Sequence, residues 1–173
     1  MNFKLQQLGQ GIALASLLAA AGTTYGATQG SLGAESTGSL DVTVTIEERV
    51  QISGLNDIAL GTYSGAGDLS GSDDFCVYRN GTGFYTLEVG SQNPATSGAF
   101  RLTNGTAFIP YSVSVNGTSL LDGENVEGTG HASSVTCGSS TNASLAVEVL
   151  ASDLQAAPSG DYADTITLVV SPR

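Results

Sequence analysis

The chain has 173 residues, and its 16 acidic against 5 basic side chains give a formal charge of −11. That balance repels phosphate backbones and anionic lipid, so nucleic acid and membrane surfaces are disfavoured as partners. Its 23 glycines, three of them in Asn-Gly pairs, punctuate short apolar runs of period two, and no convincing helix is read beyond the first residues.

Met1 to about Gly26 carries one cation, Lys4, then an apolar run from Ile12 to Ala21, then small residues, the pattern of a secretory signal peptide over residues 1–26. The run is too short to span a bilayer and nothing later is longer, so the expected product is exported and has no transmembrane segment. Loss of Lys4 makes it one charge more negative still, and such an acidic coat keeps an exported protein soluble. The roughly 147 residues that remain suit one domain with a single core.

Residues 27–47 read as an N-terminal extension. Gly, Ser and Thr lead into Leu40-Asp41-Val42-Thr43-Val44-Thr45-Ile46, where period two places Leu40, Val42, Val44 and Ile46 on one face of a strand. A strand on such an arm can complete its own domain or insert into another chain's sheet.

Residues 48–173 read as the domain itself. Val50 and Ile52 alternate, then Ile58 and Leu60, and a Gly/Ser/Asp loop over residues 61–74 leads to Phe75-Cys76-Val77-Tyr78. Asn80-Gly81 is a turn, and the strand from Phe84 to Val89 follows. After Phe100 and Leu102, alternation runs from Ala107 to Val115, with Pro110 marking an edge or irregularity. Residues 120–134 are poorly patterned and read as short strands and loop. Leu145, Val147 and Val149, then Ile166, Leu168 and Val170, supply two final strands, and the count is six or seven core strands. This is an all-β, Ig-like sandwich. The last strand finishes where a sandwich of this size still needs a closing strand, and the spare strand at residues 40–46 fits that gap.

Cys76 and Cys137 are the only cysteines, and an even count in an exported chain points to a disulfide. Two cysteines and one histidine are too few for a zinc site.

In their order these segments resemble the spore coat protein U domain found in subunits of Csu-type, archaic chaperone-usher pili. Residues 37–46 look like that family's donor segment. Residues 55–63 resemble the end of its first domain strand, with Leu60 where an aromatic is common. Phe75-Cys76-Val77 and then Gly83-Phe84-Tyr85-Thr86-Leu87 resemble its cysteine strand and the strand after it. Ser159-Gly160-Asp161-Tyr162-Ala163-Asp164-Thr165-Ile166-Thr167-Leu168-Val169-Val170 is similar to its C-terminal signature. Many members carry a further cysteine at the start of the first domain strand. Glu48-Arg49-Val50 has none, so the Cys76–Cys137 pairing rests on the count alone.

The resemblance implies a non-enzymatic structural subunit with no cofactor, an Ig-like sandwich that lacks its final strand and is completed by donor-strand complementation. A periplasmic chaperone fills the groove first. The N-terminal strand of a neighbouring copy or related pilus subunit then replaces it at an outer-membrane usher, building a surface fimbria for adhesion and biofilm formation. The implied donor residues are Leu40, Val42, Val44 and Ile46. The implied acceptor groove lies between the first and last domain strands, with Val50, Ile52, Ile166, Leu168 and Val170 as lining. The alternative is a self-complemented, monomeric secreted β-sandwich that acts as a binding module, with residues 39–47 folded back into their own groove.

Other chemistry finds little footing. His131, the only histidine, lies in a Gly/Ser loop without a nucleophile elbow. Asp68, Asp73 and Asp74, or Asp122, Glu124 and Glu127, lack the spacing of a calcium loop. Asn80, Asn104, Asn116 and Asn142 match a glycosylation pattern, but the first three are Asn-Gly turns. Tyr85 and Tyr111 fall on alternating runs and read as core rather than as a carbohydrate platform.

Overall fold

The computed structural model describes residues 26–81 and 83–173, so the signal-peptide reading of residues 1–25, and Thr82 of the Asn80 turn, lie outside the described residues. Those up to Thr45 form one unit and Ile46–Arg173 another. In the first unit Thr28 and Ser39 exchange two backbone hydrogen bonds (2.8 and 3.0 Å). Residues 40–46 join no ladder: their alternation is strand-like, but no strand is paired there.

The second unit is an all-β sandwich with nine strands among the described residues, more than the six or seven read from sequence. They are β1 (Val50–Ser53), β2 (Leu69–Arg79), β3 (Phe84–Ser91), β4 (Phe100–Thr103), β5 (Phe108–Val115), β6 (Thr118–Leu120), β7 (Glu124–Thr129), β8 (Ala143–Val149) and β9 (Ile166–Pro172). One sheet runs β1-β2-β8-β5-β4, with β6 also on β5, and the other runs β7-β3-β9. All pairings are antiparallel. Inward residues at alternate positions fill the space between the sheets: Phe75 and Val77 from β2, Tyr85, Leu87 and Val89 from β3, Val113 and Val115 from β5, Leu145 and Val149 from β8. The β5–β6 hairpin turns at Asn116 and Gly117, both at positive φ (50° and 78°), the geometry an Asn-Gly pair allows. Pro110 sits in β5 beyond the stretch paired to β8, so its missing N–H interrupts no bond on that side.

Three readings are corrected. Ile58 and Leu60 are not a strand but a crossing segment. The loop read over residues 61–74 contains the first half of β2, whose inward positions include Gly71 and Asp73. Gly71 has no side chain to pack, and Ile58 occupies the space instead. A short helix, α1 (Ala151–Ala156), follows β8, and Asp68 accepts a hydrogen bond from the Ala151 N–H (2.7 Å). Six residues are too few to display a helical period.

Cys76 of β2 and Cys137, in a 3-10 turn after β7, form a disulfide with Cα atoms 5.8 Å apart. Asn142 secures the same region: its Oδ1 accepts from the Val77 N–H (2.8 Å), while its Nδ2 donates to the carbonyls of Val77 (2.9 Å) and Thr129 (3.1 Å). The amide nitrogen a glycan would need is thus engaged. The disulfide closes a 61-residue separation, and its removal by Cys76→Ser with Cys137→Ser is expected to cost about 4 kcal/mol in the chain-entropy account. Urea unfolding of the double variant against the oxidised parent measures it.

Candidate assembly cleft

On β9 the period of two turns Ile166, Leu168 and Val170 inward and Thr167 and Val169 outward. The partners of Val170 and Leu168 across the ladder, Leu87 and Val89 of β3, are fully buried, yet the inward side chains of β9 stay half-buried. The reason is a missing neighbour: β9 pairs only with β3 among the described residues, and its other edge is open. β1 likewise pairs only with β2, and it lies beside β9. Two open edges, one from each sheet, therefore meet on one side of the sandwich.

A mostly apolar cleft of about 350 Å³ opens along β9. Ile166 and Leu168 form one wall, Leu55, Ile58 and Leu60 of the segment between β1 and β2 form another, and Leu102, Tyr111, Leu145 and Val147 form the floor. Asn56, Asp57, Asp73, Asp164 and Thr165 supply its polar rim. The segment carrying Ile58 is pinned where Asp73 accepts from Asn56 N–H (2.9 Å) and Nδ2 (3.0 Å).

Of the groove residues read from sequence, the structure brings Ile166 and Leu168 into this cleft. Val170 and Ile52 pack half-buried against the core outside it, and Val50 is half-buried at the start of β1. Sequence reasoning missed Leu55, Leu102, Tyr111, Leu145 and Val147 as lining. Ile58 and Leu60 carried a signal, their alternation, but it was assigned to a strand. The four residues read as donors, Leu40, Val42, Val44 and Ile46, are 71%, 88%, 85% and 79% exposed, an uncovered aliphatic stripe.

Asp164, just before β9, ties the open strand to the core. Its Oδ2 accepts from Tyr111 Oη (2.7 Å) and Ser91 Oγ (2.5 Å), and its Oδ1 from Asn93 Nδ2 (2.9 Å) and Thr165 N–H (2.8 Å). Two residues earlier, Tyr162 Oη donates to the Pro158 carbonyl (2.9 Å), fixing the approach to β9.

No family model and no curated protein matches the sequence. Among solved structures, the fold is similar to a chain from a study of a chaperone–tip adhesin complex in CFA/I fimbriae biogenesis, with a TM-score of 0.52 and 15% identity. The likeness covers 73% of this chain and 41% of that one, so this chain spans less than half of its neighbour's length. At that identity the shared property is the fold, an all-β sandwich.

All but Asp74 of the acidic groups singled out in the sequence are engaged by local structure. Asp122 accepts from Ser91 N–H (2.7 Å), Glu124 from Leu121 N–H (2.8 Å), and Glu127 pairs with Arg173. His131 continues the edge of β2, donating to the Val77 carbonyl (2.9 Å) and accepting at Nδ1 from Ser134 N–H (3.2 Å). No group of three metal-ligating side chains converges among the described residues.

Tyr111 and Tyr85 are both buried. Burial pushes the Tyr111 phenol far above its ordinary value of 10.0, and its hydrogen bond to Asp164 and that carboxylate's charge push it the same way. Burial likewise raises Tyr85. A pKa raised on folding means that stability is full below the unfolded value and declines as pH rises above it. Tyr111 is therefore expected to cost about 1.4 kcal/mol per pH unit between 10 and its raised folded-state value, and Tyr85 acts in the same direction. Alkaline titration should show the ionisation of Tyr111 together with unfolding, followed by tyrosinate absorbance beside circular dichroism.

Proposed function

We propose that this chain is a non-enzymatic structural subunit of a chaperone-usher fimbria of the Csu type, polymerised by donor-strand exchange and serving surface adhesion and biofilm formation. The observation that carries this reading is an apolar cleft along the open edge of β9, with the open edge of β1 beside that strand, in a chain that also presents four exposed aliphatic residues at alternate positions. One feature has room for a strand, and the other has the alternation of a strand and no partner. The resemblance of residues 37–46 and 159–170 to the spore coat protein U domain supports the same assignment, as does the fold shared with a structure from a study of fimbriae biogenesis.

In this reading Leu40, Val42, Val44 and Ile46 of one copy enter the cleft of the next, adding a strand between β1 and β9. Val50, Ile52 and Val170 flank the inserted strand, while Ile166 and Leu168 contact it. A periplasmic chaperone holds the cleft before assembly, and an outer-membrane usher is the site of exchange on the way to the cell surface. The exported chain then needs no cofactor.

The mature chain without residues 28–47 tests it. That protein, with its cleft unfilled, is expected to aggregate or unfold readily, and a synthetic peptide of residues 37–47 should raise its melting temperature by roughly 15 °C or more. A stable monomer indifferent to the peptide would overturn the proposal.

A further inference from the structure

The chain between Ile46 and β1 is gripped rather than loose. Asn80 extends the β1–β2 pairing by one step, its N–H donating to the Arg49 carbonyl (3.1 Å). Its side chain then holds both ends of a tripeptide. Oδ1 accepts from the Arg49 N–H (2.7 Å), and Nδ2 donates to the Glu47 carbonyl (2.7 Å). Between them Glu48 Oε1 accepts from Arg79 Nη2 (2.6 Å), whose side chain is only 8% exposed. Gly83 and Gly130 leave the Arg79 side chain and backbone space that a Cβ would occupy.

For residues 40–46 to lie along the open edge of their own β1, the chain has to reverse within residues 47–49. Tight reversals of that length need positive φ, which Gly, Asn and Asp supply. Glu47, Glu48 and Arg49 offer none of these residues, and none of the three has a positive φ. The hindrance matters because a strand on its own short tether has an effective concentration in the millimolar range. Unhindered, it would outcompete the same strand from another molecule present at micromolar concentration.

We infer that Asn80 and Arg79 clamp residues 47–49 in line with β1, and that this clamp blocks self-closure and reserves the cleft for a second copy of this chain. The inference rests on the strand-exchange reading above and adds specificity-determining residues to it. Asn80 thereby has a role beyond the turn chemistry of its Asn-Gly pair.

The test follows uptake of a fluorescent peptide of residues 37–47 by the full mature chain refolded at low concentration, with oligomeric state read by light scattering. The parent chain is expected to take up the peptide. Asn80→Ala removes the side-chain grip on both Glu47 and Arg49 while keeping the backbone bond to the Arg49 carbonyl, and insertion of Gly-Asn-Gly-Ser between Ile46 and Glu47 supplies a turn without touching the domain. Each is expected to reduce uptake at least tenfold and to shift the chain towards closed monomers. Uptake by Asn80→Ala equal to the parent's overturns the clamp, and uptake by the insertion equal to the parent's overturns the role given to chain reversal. Should Asn80→Ala fail to fold, the isosteric Asn80→Asp replaces it. It keeps the bond from Arg49 while facing the Glu47 carbonyl with an oxygen, and the same two outcomes apply. A parent chain that takes up no peptide overturns strand exchange itself, separately from the clamp.

Discussion

A chain carrying Val44→Asp is expected to fold with unchanged domain stability and to form no polymer. Val44 is 85% exposed, so the substitution removes no packing from the domain, and its effect on unfolding should stay within about 0.5 kcal/mol. The effect on assembly is of another size. Burying four aliphatic side chains at roughly 1.5–3 kcal/mol each contributes about 6–12 kcal/mol, and each main-chain hydrogen bond of the added strand adds about 1 kcal/mol. That equals the whole stability of an ordinary domain, about 5–15 kcal/mol. Aspartate at the centre of the stripe loses one of those side chains and carries a carboxylate into an apolar cleft, which is unfavourable without a paired charge. The rim makes matters worse, since Asp57, Asp73 and Asp164 already line it. Unboiled samples on a denaturing gel should show a ladder for the parent and a single monomer band for Val44→Asp. Val44→Ala, which loses only apolar area, should leave a ladder that dissociates at lower temperature. A normal ladder from Val44→Asp would remove these residues from the assembly mechanism.

The strands that were readable in the sequence are those whose inward positions all hold large apolar residues, as with Tyr85, Leu87 and Val89 of β3 or Val113 and Val115 of β5. Where an inward position holds glycine or a carboxylate the alternation fades. In β2, Gly71 and Asp73 point inward because Ile58 fills the space beside one and Asn56 hydrogen-bonds the other, both from outside the strand. In β7, Gly128 is inward because the Tyr85 ring lies over it. These are long-range compensations that a local pattern does not contain. The cleft divides in the same way. Its β9 wall was legible from alternation, but Leu102, Tyr111, Leu145 and Val147 are core-type residues, and they line the cleft because nothing among the described residues covers them there. An absence of covering has no local sequence signal. The stripe at residues 40–46 illustrates the converse, since its period of two specifies a strand while pairing depends on a partner elsewhere.

Asp164→Ala should be among the most damaging single substitutions in the domain, with a loss of about 5 kcal/mol. The carboxylate accepts four hydrogen bonds, three of them from the part-buried side chains of Tyr111, Ser91 and Asn93. Hydrogen bonds to a charged group are worth about 1.5–3 kcal/mol each, and relaxation around the vacancy recovers part of the total. What relaxation does not recover is the Tyr111 hydroxyl, left in the floor of the cleft without its acceptor. Asp164→Asn, which keeps one carbonyl oxygen, should lose about half as much, and Tyr111→Phe, which leaves three donors on the carboxylate, about 1 kcal/mol. In a double-mutant cycle the Asp164 and Tyr111 losses should fall short of additivity by about 1.5 kcal/mol or more. The consequence reaches assembly because Asp164 stands immediately before Thr165 and Ile166, at the point where the open strand enters the sandwich. Among the described residues β9 is paired on one edge only, and its position relative to the cleft depends on being held at that entry. A polymer of Asp164→Asn subunits should therefore dissociate at lower temperature than the parent polymer, even at a pH and temperature where the free domain remains folded. If domain stability falls as stated while polymer stability is untouched, Asp164 serves the core alone and the placement of β9 is secured elsewhere along its ladder with β3.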